Sequence, residues 1–239
     1  MKLKLLDLFS GIGGFSLGLE RTGGFETVAF CEIDPFCRKV LAKHWPNVPC
    51  FEDVTKLRGE DVGTIDIITA GFPCQDISNA GNRAGITGSR SGLWREVMRT
   101  VRMVRPKFTL LENVAALLNR GMGRVLGDLA ESGHDAEWDC IPASAVGAPH
   151  NRDRVWIIAH PVRDEQPRTE SCFGSLGRMG RLKQPFPWNR DWQTTLSALR
   201  RMDDGLSRSV HRTDGLRNAV VPQIPELIGT AILESINDR

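Results

Sequence analysis

LKLLDLF, residues 3–9, runs directly into Ser10-Gly11-Ile12-Gly13-Gly14, and FSLGLER (15–21) follows. An apolar run that stops at glycines and resumes with helix formers reads as strand, turn, helix. Glycines at such a junction permit a tight turn and let a ligand approach the backbone. Outward from it, ETVAFCE (26–32), DIITA (66–70), KFTLLEN (107–113) and RVWIIAH (154–160) are further strand candidates, with another short strand before Asp53. Pro35 sits where a helix would begin, and FCRKVLAKHW follows at helical spacing. Near-continuous apolar strands alternating with helices predict an α/β, doubly wound fold on a buried, mostly parallel sheet.

The chain has 239 residues, 41% of them hydrophobic and 25% charged, which suits a soluble globular protein of one ordinary domain or one with a small appendage. A net charge of +2 does not by itself announce a nucleic-acid binder. The six cysteines (31, 37, 50, 74, 140, 172) are too few for a disulfide scaffold. They include no C-x-x-C pair, so no metal is expected. No apolar run approaches the roughly 20 residues of a membrane span. MKLKLLDLFSGIGGF lacks the long apolar core of a signal peptide. A cytoplasmic location with free thiols and no membrane partner is the expectation; the fold needs no partner subunit, and a monomer is expected.

The character changes near Pro161. Residues 161–212 hold ten Lys/Arg and six Asp/Glu, a net of +4, so the rest carries 31 − 10 = 21 basic and 29 − 6 = 23 acidic residues. PFPWNRDW (185–192) lies in this stretch, and periodicity stays weak until LSALRRM (196–202). The segment reads as a small, irregular, basic insert. Residues 1–160 and 213–239 then form one large domain, with PQIPELIGTAILESI (222–236) as a helix packed back on it.

Four places could carry chemistry. At the glycine turn, the third position of an NAD-type G-x-G-x-x-G would be Ser16, so that fingerprint fails. Glu32 ends the second strand 21 residues after Gly11, where a carboxylate can bond both hydroxyls of a ribose. Asp53 could take an adenine amino group. These suit an adenosine ligand without a pyrophosphate; packing glycines and a solvated Glu32 are the plainer reading. Gly71-Phe72-Pro73-Cys74-Gln75 follows the strand DIITA, where ligands of parallel sheets sit. A cysteine there is placed as a nucleophile, although burial is the commoner fate of a free thiol. The glycine- and hydroxyl-rich stretch 76–94 suits a loop that closes on a substrate. Cys31, Cys37 and Cys140, the last within a strand-like run, are read as structural. Glu112-Asn113 ends the strand expected beside that of Cys74; the carboxyl could protonate a ring nitrogen or simply cap a helix. Arg152 and Arg154, two positions apart, would share a strand face and suit a phosphate or a planar carbonyl, or form a solvated edge.

Taken in order, DLFSGIGGF (7–15), CEIDPFC (31–37), AGFPCQDIS (70–78), LLENV (110–114), APHNRDRVWIIA (148–159) and RNAVVPQ (217–223) resemble the motifs of the DNA (cytosine-5)-methyltransferases of bacterial and phage type. The resemblance implies a Rossmann-like, S-adenosylmethionine-dependent methyltransferase fold with 161–212 as a small target-recognition region. It implies S-adenosyl-L-methionine as cofactor, leaving as S-adenosyl-L-homocysteine, and double-stranded DNA as partner. Phe9, Gly11, Gly13, Glu32, Asp53, Pro73, Leu93, Asn218 and Val220 would form the cofactor site, with Glu32 on the ribose and Asp53 on the adenine. Cys74 would attack C6 of a flipped-out cytosine, Glu112 would bond its N3, Arg154 would contact the base and Arg152 would hold the loop or a phosphate. Such an enzyme transfers the methyl to C5. A cognate restriction endonuclease is an expected functional pair if the chain serves in restriction–modification; the sequence does not say whether it does, or which bases are read.

Three departures stand out. His150 replaces the family's usual Gln, Arg217 replaces the usual Gly before Asn218, and the insert is short. A tRNA cytosine-5 methyltransferase with the same motifs, and a catalytically silent relative, are the competing readings; the broken fingerprint disfavours an NAD enzyme.

Overall fold

The structure, a computed structural model, describes residues 1–73, 92–148, 151–162, 173 and 219–237. The strands are β1 (Leu3–Leu8), β2 (Phe25–Cys31), β3 (Cys50–Phe51), β4 (Ile67–Gly71), β5 (Phe108–Val114), β6 (His134–Pro142) and β7 (Asp153–Pro161). The helices are α1 (Gly14–Arg21), α2 (Pro35–His44), α3 (Gly59–Val62), α4 (Gly92–Val104), α5 (Leu117–Arg120), α6 (Met122–Glu131) and α7 (Gln223–Asn237).

The seven strands form one sheet in the order β3-β2-β1-β4-β5-β7-β6. The first five run parallel, and β7 inserts antiparallel between β5 and β6. The strand order reverses between β1 and β4, and a parallel sheet binds ligands outside the carboxyl ends of its strands at such a point. The expected doubly wound architecture is therefore present.

Period-2 alternation along the strands feeds two cores. On one face Leu6, Leu8, Ile68, Ala70, Leu111 and Ile157 pack under α4 and α6. On the other, Leu5, Ile67, Leu110, Trp156 and Ile158 pack under α1 and α7 through Phe15, Leu19, Ile224, Ile228 and Ile232. The last helix packs against α1 on this face of the sheet, and glycines bring it close. A Cβ on Gly14 would lie 2.5 Å from the Val220 carbonyl, and one on Gly18 2.1 Å from that of Pro222.

The expected strands are present with ends shifted by about a residue, so Glu32 falls just beyond β2. β6 differs from expectation, which saw only a strand-like run near Cys140. It is an edge strand whose Trp138, Asp139 and Cys140 are exposed in succession, so it lacks an apolar alternation. The 161–212 region falls outside the described residues except for Pro161, Val162 and Phe173.

Among the described residues, no helix is long and apolar enough to cross a membrane. No group of three or more His, Cys, Asp or Glu among them could hold a metal.

Candidate active site

The carboxyl end of β1 is shaped by backbone that ordinary residues avoid. Phe9 (φ 52), Gly11 (φ 54) and Gly13 (φ 86) are left-handed, and Gly13 donates its N–H to the Ser10 carbonyl at 2.8 Å. The Ser10 hydroxyl donates to the Asp7 carbonyl at 2.5 Å and accepts from the Cys31 N–H at 3.3 Å, fastening the turn to β1 and β2. Glu32 completes the fastening: its Oε2 accepts from the Gly11 N–H at 2.7 Å and its Oε1 from the Asp34 N–H at 2.8 Å. Among the described residues, a Cβ at Gly11 would meet nothing within 4 Å, so the turn opens onto space there.

Asp34 takes the N-cap of α2, its Oδ1 accepting from the Phe36 and Cys37 N–H groups at 2.8 and 2.9 Å. The Asp-Pro pair at 34–35 is a signal that could have exposed this role. Asp53, expected beside the adenine, caps the short 3-10 turn Val54–Lys56, its Oδ1 accepting from the N–H and hydroxyl of Thr55 at 2.9 and 2.7 Å. The Thr55 hydroxyl, its N–H and Lys56 hold the Asp53 carboxyl below the usual carboxylate range. Leu93 packs against the α4–α6 core, Val220 lies against Gly14, and Pro73 is exposed. Asn218 lies outside the described residues.

Beneath the turn sits a residue the sequence reading missed. Asp7 is fully buried, and its two oxygens accept from the Ser16 hydroxyl (2.8 Å) and the Thr69 hydroxyl (2.7 Å). One carboxyl thus ties β1, α1 and β4. Burial pushes its pKa up to about 7 against the lowering effect of the two hydroxyls. Ser16, which broke the NAD fingerprint, is one of these partners.

At the next strand ends, Gly71 of β4 pairs with Glu112 of β5. Glu112 is buried, and a Cβ on Gly71 would stand 3.5 Å from its Oε2, so the carboxyl lies over that strand end. Arg154 at the start of β7 places Nε 2.8 Å from Glu112 Oε1. Burial raises the Glu112 pKa, opposed by the guanidiniums of Arg154 and Arg152. Arg152 donates from Nη1 to the Ala219 carbonyl at 2.6 Å, holding the segment before α7. The arginine pair is therefore not a solvated edge.

The backbone leading to Cys74 is fixed from two sides. Asn113 donates from Nδ2 to the Phe72 carbonyl at 3.1 Å. The Phe72 ring packs on Trp94, centroids 5.0 Å apart, and Trp94 donates its indole N–H to the buried Asp128 at 2.7 Å. Cys74 itself, most of 76–94, His150 and Arg217 lie outside the described residues. Of the free cysteines described, Cys31 and Cys37 are buried, whereas Cys140 is exposed.

Two ligand-ready features thus share one edge of the sheet: a glycine turn open at Gly11 beside a backbone-held carboxylate, and a desolvated carboxyl paired with arginine. The first suits a ribose-bearing ligand; the second can hold or deliver a proton to a ring nitrogen.

Comparison with known proteins identifies the family. The family model for C-5 cytosine-specific DNA methylases matches residues 3–201. Type II methyltransferase M2.BsuMI of Bacillus subtilis (strain 168) is 39% identical over 170 residues, covering 68% of this chain and 43% of that protein. Type II methyltransferase M1.ScrFI of Lactococcus lactis subsp. cremoris is 37% identical over 161 residues, covering 66% and 41%. The chain thus spans about two-fifths of the length of these curated relatives. The crystal structure of S. pombe Dnmt2 methyltransferase aligns with a TM-score of 0.61 at 20% identity, over 81% of this chain and 63% of that one, which supports the fold.

Proposed function

The chain belongs to the C-5 cytosine-specific DNA methylase family, and from that premise we propose that it transfers a methyl group from S-adenosylmethionine to C5 of a cytosine in double-stranded DNA. The observation that carries the reading is the Glu112–Arg154 pair, its carboxyl buried at the β5 end and laid over Gly71, three residues before Cys74.

The cofactor would lie on the open side of Gly11, with Glu32 facing its ribose, Asp53 toward its adenine, and Phe9, Gly13, Pro73, Leu93, Asn218 and Val220 around it. The fit rests on the free space at Gly11 and on a Glu32 carboxylate already oriented by two backbone N–H groups. When bound, S-adenosylmethionine supplies an electrophilic methyl on its sulfonium; no metal is needed.

Cytosine C5 is a weak nucleophile. Addition of the Cys74 thiolate to C6 turns the ring into an enamine whose C5 can attack. Glu112, its carboxyl biased toward the protonated form by burial, donates to N3 and stabilises that adduct. Arg154 holds the carboxyl in place and reaches the base, and Arg152 fixes the neighbouring segment through Ala219. Once C5 carries the methyl, its proton is lost to solvent, the N3 proton returns to Glu112 and Cys74 leaves as thiolate, which restores the ring. A stacked cytosine cannot reach Cys74, so the base is flipped out at a cost of about a few kcal/mol. Residues 161–212 would face the groove and read the target. The reading places the chain in the cytoplasm as a monomer, and a cognate restriction endonuclease would be its functional pair if the chain serves in restriction–modification.

The test is label transfer from tritiated S-adenosylmethionine into mixed-sequence duplex DNA, with a tRNA pool in parallel. Label in DNA is expected. Label in tRNA alone would move the substrate and keep the chemistry, and label in neither would overturn the reading.

A further inference from the structure

Trp45 follows the last residue of α2 and occupies the space a side chain at Gly13 would need. A Cβ built on Gly13 would lie 2.7 and 2.8 Å from Trp45 Cζ3 and Cη2. The indole is held from three directions. Its Nε1 donates to Glu20 Oε2 at 2.9 Å, its ring makes a T-shaped contact with Phe30 with centroids 5.3 Å apart, and its backbone N–H donates to the Leu41 carbonyl at 2.7 Å. Glu20 is fixed in turn, because its Oε1 accepts from the Thr27 N–H of β2 at 3.0 Å. α1, β2 and α2 therefore converge on one ring behind the turn.

The other end of α2 is tied to the same turn. Asp34 caps the helix, and its N–H donates to the Glu32 carboxylate that also accepts from Gly11. One helix thus spans from the carboxylate beside Gly11 to the ring behind Gly13. Glycine is the residue that loses most freedom on ordering, so a turn with Gly11 and Gly13 left-handed is costly to hold unless something backs it. A site ordered before its ligand arrives does not lose affinity to that ordering.

We propose that Trp45, held by Glu20, is a positioning residue of the cofactor site: it touches no cofactor and preorganises the Gly11–Gly13 turn through Gly13. The proposal rests on the reading of that turn as the S-adenosylmethionine site.

The test is calorimetric binding of S-adenosylhomocysteine to the full chain and its variants, with folding followed by circular dichroism. Trp45→Ala is expected to weaken binding about tenfold or more, and Trp45→Phe, which keeps a ring against Gly13, by no more than about threefold. Glu20→Ala, which frees the ring, should weaken binding by about threefold or more. Leu129→Ala is the control: Leu129 is fully buried in the α6 core, so truncation lowers stability while affinity stays within about twofold. A smaller loss in folded Trp45→Ala, or an equal loss in Leu129→Ala, overturns the proposal. If Trp45→Ala does not fold, wild-type affinity in Glu20→Ala overturns it. A wild-type chain that does not bind S-adenosylhomocysteine removes the cofactor reading itself, and the proposal with it, an outcome distinct from variants that bind like wild type.

Discussion

Arg154 Nε stands 2.8 Å from Glu112 Oε1 across the antiparallel β5–β7 pair, in a site where the carboxyl is buried. Burial and the guanidiniums act in opposite directions on this carboxyl, and burial is the larger effect. The result is an acid that keeps its proton to higher pH than an ordinary glutamate while its oxygens stay aimed. Glu112→Gln keeps the shape and loses the acid. It is expected to slow methyl transfer by about 10²–10⁴-fold with S-adenosylhomocysteine binding unchanged. Single-turnover rates beside calorimetry check this, and a near-normal rate would remove Glu112 from the acid role.

Asp7 makes stability depend on pH. Its carboxyl titrates at 3.8 ordinarily and at about 7 in the fold. Between those values the folded chain holds a proton the unfolded chain has lost, so stability present in full below about pH 3.8 is lost as pH rises through about 7, at up to about 1.4 kcal/mol per pH unit. Urea unfolding of wild type and Asp7→Asn at pH 5 and pH 8 should show wild type losing stability relative to the variant. A difference that does not change with pH would contradict this.

The α1–α7 contact predicts opposite outcomes for glycines of two helices. Gly14→Ala and Gly18→Ala drive a Cβ into the Val220 and Pro222 carbonyls and should each cost about 1–3 kcal/mol or more. Gly127 of α6 is exposed with none of the described residues within 4 Å of its missing Cβ, so Gly127→Ala should stabilise by about 1 kcal/mol. Denaturant midpoints decide, and equal shifts at both sites would refute the packing account.

Asp128 accepts from the Trp94 indole and from Arg124 Nε at 2.9 Å. Asp128→Ala leaves a buried N–H without an acceptor and should cost about 1–3 kcal/mol, while Asp128→Asn should cost less. Thermal unfolding of the two variants checks the order.

The strand–turn–helix at 3–21 was legible because an apolar run, a glycine cluster and a helical pattern meet there without ambiguity. Glu112 and Arg154 were legible as strand-end residues, and the structure brings them together. β6 was not, because an edge strand exposing Trp138, Asp139 and Cys140 shows no period-2 signal. α6 was also missed: Gly123 and Gly127 interrupt its pattern. Asp7, Trp45 and Asp128 were invisible for a different reason. Thr69 is 62 positions from Asp7, Trp45 is 25 from Glu20 and Trp94 is 34 from Asp128, and such pairs exist only once the sheet and its helices are assembled.

Covalent attack by Cys74 on C6 is trapped by a duplex carrying 5-fluorocytosine, since fluorine at C5 cannot leave as a proton does. Incubation with S-adenosylmethionine should give a protein–DNA adduct stable to denaturing electrophoresis, absent in Cys74→Ser, whose S-adenosylhomocysteine affinity stays wild type. No adduct from a wild-type chain that binds the cofactor, or an adduct that persists in Cys74→Ser, would contradict the account.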